Sequence, residues 1–125
     1  MILDTNAISA LVARDKNLIE LISLSPHLAV TLVSLGEHSF GILESSKRKG
    51  LEQWLEAFLE RTDVLATNRQ TILHYASIRK ELKEAGTPIP ANDVWIAALA
   101  RQHQLPIVSR DRHFEIVQNL ECLGW

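Results

Sequence analysis

The sequence predicts an α/β fold, a three-layer α/β/α sandwich in which a mostly parallel sheet of four or five strands is flanked by helices. Short apolar runs alternate with longer segments of helical periodicity, which is the pattern of parallel strands joined by crossover helices. Residues 28–33 are almost wholly apolar, as expected of a strand buried on both faces. With 125 residues, 46% of them apolar and 22% charged, the chain is expected to form one domain over residues 1–125.

The first quarter of the chain predicts two strands separated by two helices. Residues 1–4 are a short apolar first strand and residues 28–33 are the second. Between them, residues 6–12 and 17–24 have apolar side chains at helical spacing. The inward-facing side chains of the second helix are expected to be Leu18, Ile19, Leu21 and Ile22.

Two further helices are predicted after the second strand. Ser34 is expected to be the N-cap of the first, which runs to about residue 45, and Glu37 follows at capping-box spacing. Residues 47–50 are interpreted as a turn. The clearest amphipathic helix of the chain comes next, because five apolar side chains repeat at helical spacing. They are Leu51, Trp54, Leu55, Phe58 and Leu59.

The second half predicts three more strands and two long helices. The strands are expected at residues 64–66, 106–108 and 120–123, the last at an edge of the sheet. Asn68 is expected to cap a helix that runs to about residue 85, where Gly86 and Pro88 end it. The helix at residues 93–104 is apolar nearly all round and should be central. A turn or short helix is expected at residues 111–117.

Composition excludes few functions but indicates the cellular compartment. The net charge of -2 neither indicates nor excludes a nucleic-acid partner. Cys122 is the single cysteine, so no internal disulfide can form, which fits a reducing compartment. No apolar run reaches the roughly 18 residues needed to span a bilayer, and we see no signal peptide. We therefore expect a cytoplasmic protein without a membrane partner.

Four carboxylates lie beside predicted strands or helix starts. Asp4 ends the first strand, Glu37 follows the second, Asp93 opens the central helix and Asp111 follows the strand at residues 106–108. In open α/β sheets ligands bind outside the carboxyl ends of the strands, so we expect these acids to gather there. Clustered carboxylates without cationic partners repel one another unless they hold a hard metal ion such as Mg²⁺ or Mn²⁺.

Each acid also has an ordinary structural explanation. Asp4 could cap the first helix, Glu37 could complete a capping box, Asp93 could stabilise a helix N-terminus and Asp111 could begin a turn. Their joint placement at one end of the sheet favours the metal site. Competing chemistries lack their motifs, since the chain has no glycine-rich phosphate loop, no G-x-S-x-G and no histidine pair at i, i+4 for zinc.

Four segments carrying these acids resemble the motifs of the PIN-domain family, and within it the VapC-type toxins of bacterial toxin–antitoxin pairs. The segments are Asp4-Thr5-Asn6, residues 30–37 with Gly41, residues 90–100 and residues 109–114. Each motif alone is weak, but four in this order and spacing cover essentially the whole chain. The resemblance implies a PIN-like fold.

The resemblance also implies a metal-dependent endoribonuclease. Asp4, Glu37 and Asp93 would be the catalytic acids that hold Mg²⁺ (or Mn²⁺), and Asp111 would be a fourth acid acting directly or through water. A metal-activated water would hydrolyse an RNA phosphodiester bond, leaving a 5′-phosphate and a 3′-hydroxyl. The partners implied are an RNA substrate, a cognate antitoxin that occupies the groove near the site, and a second copy in a homodimer.

Other residues are candidates for a supporting part. The resemblance gives Thr5, Asn6 and Ser109 the task of orienting carboxylates, water or phosphate. Arg110 and Arg112 flank Asp111, and a guanidinium matches phosphate geometry. Residues 47–49 could contact RNA or form a solvated turn, and Trp54 and Phe58 could be core or an antitoxin groove.

Two alternative functions stay open at this point. One is a non-catalytic PIN scaffold that binds RNA or a protein partner, and the other is a nuclease that cuts DNA. The sequence does not indicate which RNA would be cut.

Overall fold

The computed structural model describes residues 1–125 and is built around a five-stranded sheet in which every pairing is parallel. The strand order is β3-β2-β1-β4-β5, so the first strand of the chain lies at the centre of the sheet. The predicted fold class is confirmed. The strands are β1 (Ile2–Leu3), β2 (Ala29–Thr31), β3 (Asp63–Leu65), β4 (Ile107–Val108) and β5 (Cys122–Leu123).

Six α-helices cover the two faces of this sheet. They are α1 (Thr5–Val12), α2 (Lys16–Ser23), α3 (Leu32–Leu43), α4 (Arg48–Leu59), α5 (Arg69–Glu84) and α6 (Ala91–His103). A 3₁₀ helix (Arg112–Ile116) follows β4, as the sequence suggested for residues 111–117. None of the helices has the length and apolar character needed to cross a membrane.

The core is split into two layers by the sheet. Successive side chains of a strand point to opposite faces, so Ile2 packs in the cluster that includes α5 and α6 side chains, whereas Leu3 packs with α1 and α2. Both side chains are fully buried. A strand of only two residues can hold the centre because both of its faces are covered. Asp4 directly follows this strand, so it lies at the carboxyl-terminal end of the sheet's central strand.

The boundary between β2 and α3 differs from the prediction. The strand ends at Thr31, so Leu32 and Val33 belong to the helix. Thr31, and not Ser34, is the N-cap, and its Oγ1 accepts a hydrogen bond from the Ser34 N–H at 3.0 Å. The apolar run continues across this boundary although burial does not. Ala29 and Val30 of the strand are buried, whereas Leu32 at the start of the helix is 50% exposed. Apolar character alone therefore could not locate it.

Two other predictions were wrong. The predicted turn at residues 47–50 is largely helical, because α4 begins at Arg48. A glycine inside a helix costs only about 1 kcal/mol, and the ion pair between Arg48 and Glu52 at 2.6 Å spans one turn. Ile19 was expected in the core but is 42% exposed, whereas Leu18 and Ile22 of the same helix are buried.

The helix that precedes α6 is capped as expected. The Asn68 side chain accepts a hydrogen bond from the Thr71 N–H at 3.2 Å, and the Thr71 hydroxyl accepts one from the Asn68 N–H at 2.9 Å. Gly86 follows the helix with a φ of 70°, a conformation that glycine adopts without strain.

The predicted strand at the edge of the sheet is β5.

Candidate active site

The four predicted acids come from four different elements and line one cleft. Asp4 follows β1, Glu37 lies in the second turn of α3, Asp93 lies in the first turn of α6, and Asp111 precedes the 3₁₀ helix. The cleft has a volume of about 630 Å³. Its lining consists of Asp4, Thr5, Asn6, Ser9, Glu37, Pro90, Ala91, Asn92, Asp93, Asp111 and His113.

Asp4 is the innermost of these acids, with only 5% of its surface exposed. Its Oδ2 accepts hydrogen bonds from the Ser109 hydroxyl at 3.0 Å and from the Asn6 amide at 3.2 Å. It occupies the N-cap position of α1, but its side chain makes no capping hydrogen bond. Helix capping therefore does not explain this buried carboxylate.

Ser109 connects the end of β4 to the end of β1. Besides donating to Asp4, its hydroxyl oxygen accepts hydrogen bonds from the Asn6 amide at 2.9 Å and from the Asp111 N–H at 3.0 Å. Asn6 in turn accepts one from the Arg110 N–H at 3.2 Å. These bonds fix the backbone of residues 109–111 against the first turn of α1 and so set the direction of Asp111.

Glu37 is held between two helices. Its Oε2 accepts a hydrogen bond from the Thr5 hydroxyl at 2.7 Å, and its Oε1 accepts one from the Asn92 amide at 2.8 Å. The capping-box explanation for Glu37 is wrong, because Thr31 caps α3 and both carboxylate oxygens point to other elements. Asn92 was not singled out from the sequence, although its position directly before Asp93 was a usable signal.

His113 is the second residue that sequence reasoning missed. Its Nδ1 lies 2.7 Å from Oδ2 of Asp93 and 3.1 Å from Oδ1 of Asp111. The backbone N–H of His113 donates to Oδ1 of Asp111 at 2.9 Å, so the Asp111 side chain also caps the 3₁₀ helix. The spacing of two residues between Asp111 and His113 was the available signal, because a short turn there returns the imidazole to the acid.

Each acid of the cleft disfavours the ionised form of its neighbours. Burial raises the pKa of Asp4 above its ordinary value, and the neighbouring Asp93 and Glu37 carboxylates raise it further. Burial also raises the pKa of Asp93, with Asp111 and Glu37 adding to the rise and the bond to His113 opposing it. The hydrogen bond to Asp93 raises the pKa of His113 above its usual range. The site therefore favours added positive charge, whether a proton or a cation.

The donor set fits a divalent metal ion. No lysine or arginine lines the cleft, and His113, beside Asp93 and Asp111, is the one side chain there that can carry a positive charge. Asp4 and Glu37 accept hydrogen bonds from neutral donors only. Carboxylate oxygens are the ligands that Mg²⁺ and Mn²⁺ take in proteins. One ligand atom each from Asp93, Asp111 and His113 lie within 4.8 Å of one another, close enough for a single ion.

The two arginines beside Asp111 are placed differently. The guanidinium of Arg110 pairs with Asp15 at 3.2 Å, donates to the Trp125 carbonyl oxygen at 3.3 Å and lies 4.3 Å from the centroid of the Trp125 ring. The Trp125 indole N–H also donates to Asp15, at 3.1 Å. Arg112 is exposed on the 3₁₀ helix. Arg110 is therefore held by Asp15 and Trp125, whereas Arg112 forms no ion pair.

The remaining candidates lie outside the cleft. Residues 47–49 are exposed at the start of α4. Trp54 and Phe58 stack with ring centroids 5.0 Å apart and pack against the buried cluster of α1 and α2. His38, next to Glu37 in the sequence, packs against Trp54 with ring centroids 6.4 Å apart. Burial raises the pKa of the Cys122 thiol, which makes it a poor nucleophile.

Comparison with known proteins gives a consistent result over nearly the whole chain. The PIN domain family model matches residues 1–120. Ribonuclease VapC1 of Haemophilus influenzae is 31% identical over 128 aligned positions, which cover 98% of this chain and 96% of the relative. The tRNA(fMet)-specific endonuclease VapC of Shigella flexneri is 32% identical over 99 positions, covering 78% of this chain and 75% of the relative.

A solved structure gives the same result for the fold. The DNA-bound VapBC of Salmonella typhimurium contains a chain that superimposes with a TM-score of 0.88 at 28% identity, covering 99% of this chain and 96% of that one.

Proposed function

This chain belongs to the PIN-domain family, and we propose that it is an endoribonuclease, the toxin of a toxin–antitoxin pair, whose activity depends on a divalent metal ion. The observation that carries the proposal is the convergence of Asp4, Glu37, Asp93 and Asp111 on one cleft that no lysine or arginine lines. A purely structural role gives no reason for four acids, faced by a single imidazole, to meet in one cleft. A metal ion that assists phosphodiester hydrolysis needs oxygen ligands gathered in this way.

Asp4, Glu37, Asp93 and Asp111 would hold the ion, Mg²⁺ or Mn²⁺, at the floor and rim of the cleft. When bound, such an ion acidifies water and neutralises charge on the phosphate that is attacked. Asn6 and Ser109 keep the Asp4 carboxylate in one orientation through the hydrogen bonds at 3.2 and 3.0 Å. Thr5 does the same for Glu37. Groups that fix ligands in this way commonly change metal affinity or activity by about 10- to 100-fold.

The better candidate for contact with RNA phosphates is Arg112. It is exposed beside Asp111 and its guanidinium is not engaged by an acid. Arg110 would have to leave Asp15 and the Trp125 ring before it could reach a phosphate. We therefore assign Arg112 to the substrate and Arg110 to positioning of the segment that carries Asp111.

Protein partners are supported by apolar side chains left exposed on two helices. Leu32, Phe40 and Leu43 are exposed on α3, and Ile72 and Leu73 on α5. Exposed apolar side chains that group on one surface mark interaction sites. We assign these two surfaces to an antitoxin and to a second copy of this chain, and we place the complex in the cytoplasm. The molar mass in solution, with and without an antitoxin, tests whether either partner binds.

The test of the function is cleavage of total cellular RNA and of purified tRNA by the antitoxin-free protein, in Mg²⁺ or Mn²⁺ and in EDTA. Asp4→Asn and Asp93→Asn are the test variants. Asp63→Asn is the matched control, because Asp63 is an exposed acid of β3 outside the cleft. We expect discrete fragments from the wild type and the control, and none from the two site variants or in EDTA.

The same experiment separates the alternatives. Equal cleavage by the wild type and both site variants would refute the proposal. No cleavage by a folded wild type that binds RNA would favour a non-catalytic scaffold. Single-stranded DNA of the same sequence is included, since cleavage of DNA but not RNA would identify a deoxyribonuclease.

A further inference from the structure

We propose that His113 is a direct ligand of the metal ion and that its imidazole makes the site prefer divalent transition-metal ions, such as Mn²⁺, over Mg²⁺. The inference rests on the proposed metal-dependent function and adds a nitrogen donor to a site otherwise made of oxygens. It concerns the outer part of the cleft, where His113 faces Asp93 and Asp111.

The distances around His113 match those between neighbouring ligands of one ion. With ligands about 2.1 Å from an octahedral ion, adjacent ligand atoms lie about 3.0 Å apart. The His113 Nδ1 lies 2.7 Å from the Asp93 oxygen and 3.1 Å from the Asp111 oxygen. Both distances are close to those between adjacent ligands, and the three atoms lie within 4.8 Å of one another. The ion would replace the proton that Nδ1 shares with the carboxylates, and that proton would be released to solvent.

The surroundings leave His113 available for this role. Its side chain is 46% exposed and lines the cleft directly. The two acids are its side-chain partners, and both are predicted metal ligands. The backbone N–H of His113 donates to the Asp111 carboxylate at 2.9 Å, which holds that carboxylate beside the imidazole.

A nitrogen ligand changes which ions the site prefers. Mg²⁺ favours oxygen ligands and keeps several waters, whereas imidazole suits transition-metal ions. If His113 instead only held Asp93 in place, its removal would weaken binding of both kinds of ion to a similar extent. The ratio of the two affinities therefore distinguishes a ligand from a positioning residue.

The experiment measures binding rather than activity. Mn²⁺ is titrated into the apo protein and the free ion is followed by electron paramagnetic resonance, and Mg²⁺ affinity is obtained by competition. We compare the wild type with His113→Ala and with His103→Ala, a control that removes an exposed imidazole at the end of α6. We expect His113→Ala to weaken Mn²⁺ binding by about tenfold or more and Mg²⁺ binding by about threefold or less.

A spectroscopic readout makes the assignment direct. Electron spin echo envelope modulation of bound Mn²⁺ detects a coordinated imidazole nitrogen. We expect this nitrogen signal in the wild type and in His103→Ala, and its absence in His113→Ala. Absence of that modulation in the wild type, or an equal loss of affinity for both ions in His113→Ala, would overturn the inference while metal-dependent RNA cleavage stands. A wild type that binds neither ion would overturn the inference and the metal dependence together.

Discussion

Replacement of Ser109 by alanine should destabilise the protein through a single buried carboxylate. Ser109 is 3% exposed, and its hydroxyl makes three hydrogen bonds, of which one is donated to Asp4. A hydrogen bond to a charged group contributes roughly 1.5–3 kcal/mol and a neutral one about 0.5–1.5 kcal/mol. Water can replace the bonds to Asn6 and Asp111, which are partly exposed, but has little access to Asp4.

We therefore expect Ser109→Ala to lower the free energy of unfolding by about 1.5–3 kcal/mol at pH 7. The loss should be smaller near pH 4.5, because burial and two neighbouring acids already raise the pKa of Asp4 and its protonated form needs the donor less. Urea unfolding of the metal-free protein at both pH values measures this. Ser9→Ala is the control, since Ser9 is exposed in the same cleft and bonds only to its own helix backbone.

The control should change the free energy of unfolding by no more than about 0.5 kcal/mol. A loss below about 1 kcal/mol in Ser109→Ala at pH 7 would refute the reasoning, because it would mean that water or the remaining donor Asn6 is sufficient for Asp4. A loss that is equal at both pH values would refute the part that attributes it to the charge of Asp4.

Three further outcomes are expected. Thr5→Val removes the 2.7 Å hydrogen bond to Glu37 with little change in shape, so RNA cleavage should fall by about 10- to 100-fold, and cleavage equal to the wild type would contradict this. Asp4→Asn should abolish cleavage. The same variant should raise the free energy of unfolding of the metal-free protein by about 1 kcal/mol, since it removes a charge that burial disfavours. A lower free energy of unfolding in urea would contradict this. The pKa values of Asp4, Asp93 and His113 are raised in the fold, so these groups contribute stability that is lost as the pH rises from about 5 to about 8. Burial lowers the pKa values of His38 and the amino terminus, which act in the opposite direction. The contribution of the acid cluster is therefore read as a difference in urea unfolding: stability should change less favourably with rising pH in the wild type than in Asp4→Asn, and an equal change in both would contradict this.

Much of the fold could be predicted because local patterns and topology agree. The apolar runs at the first, second and fourth strands alternate with amphipathic helices, and that order leaves a parallel sheet as the simplest arrangement. The point at which β2 becomes α3 could not be predicted, because Leu32 and Val33 suit both. The hydrogen bond from the Ser34 N–H to Thr31 decides it, and such a bond is visible only in three dimensions.

The site shows the same division. The positions of Asp4, Glu37, Asp93 and Asp111 beside strands and helix starts were sufficient to predict that they would meet. The partners that orient them were predictable only in part, because Asn92 and His113 act across elements that are far apart in sequence. The resting position of Arg110 depends on Asp15 and Trp125, and nothing near Arg110 in the sequence indicates either contact.

The central place of β1 also affects when the protein can act during its own synthesis. Ile2 pairs with Ile107, and Asp4 receives its hydroxyl donor from a residue 105 positions later in the chain. A growing chain that has emerged through α5 therefore carries Asp4 and Glu37 but neither Asp93 nor Asp111. The last strand of the core has to leave the ribosome before the acids can assemble. Topology alone thus delays assembly of the four acids in each new chain until residues 1–111 have all been synthesised.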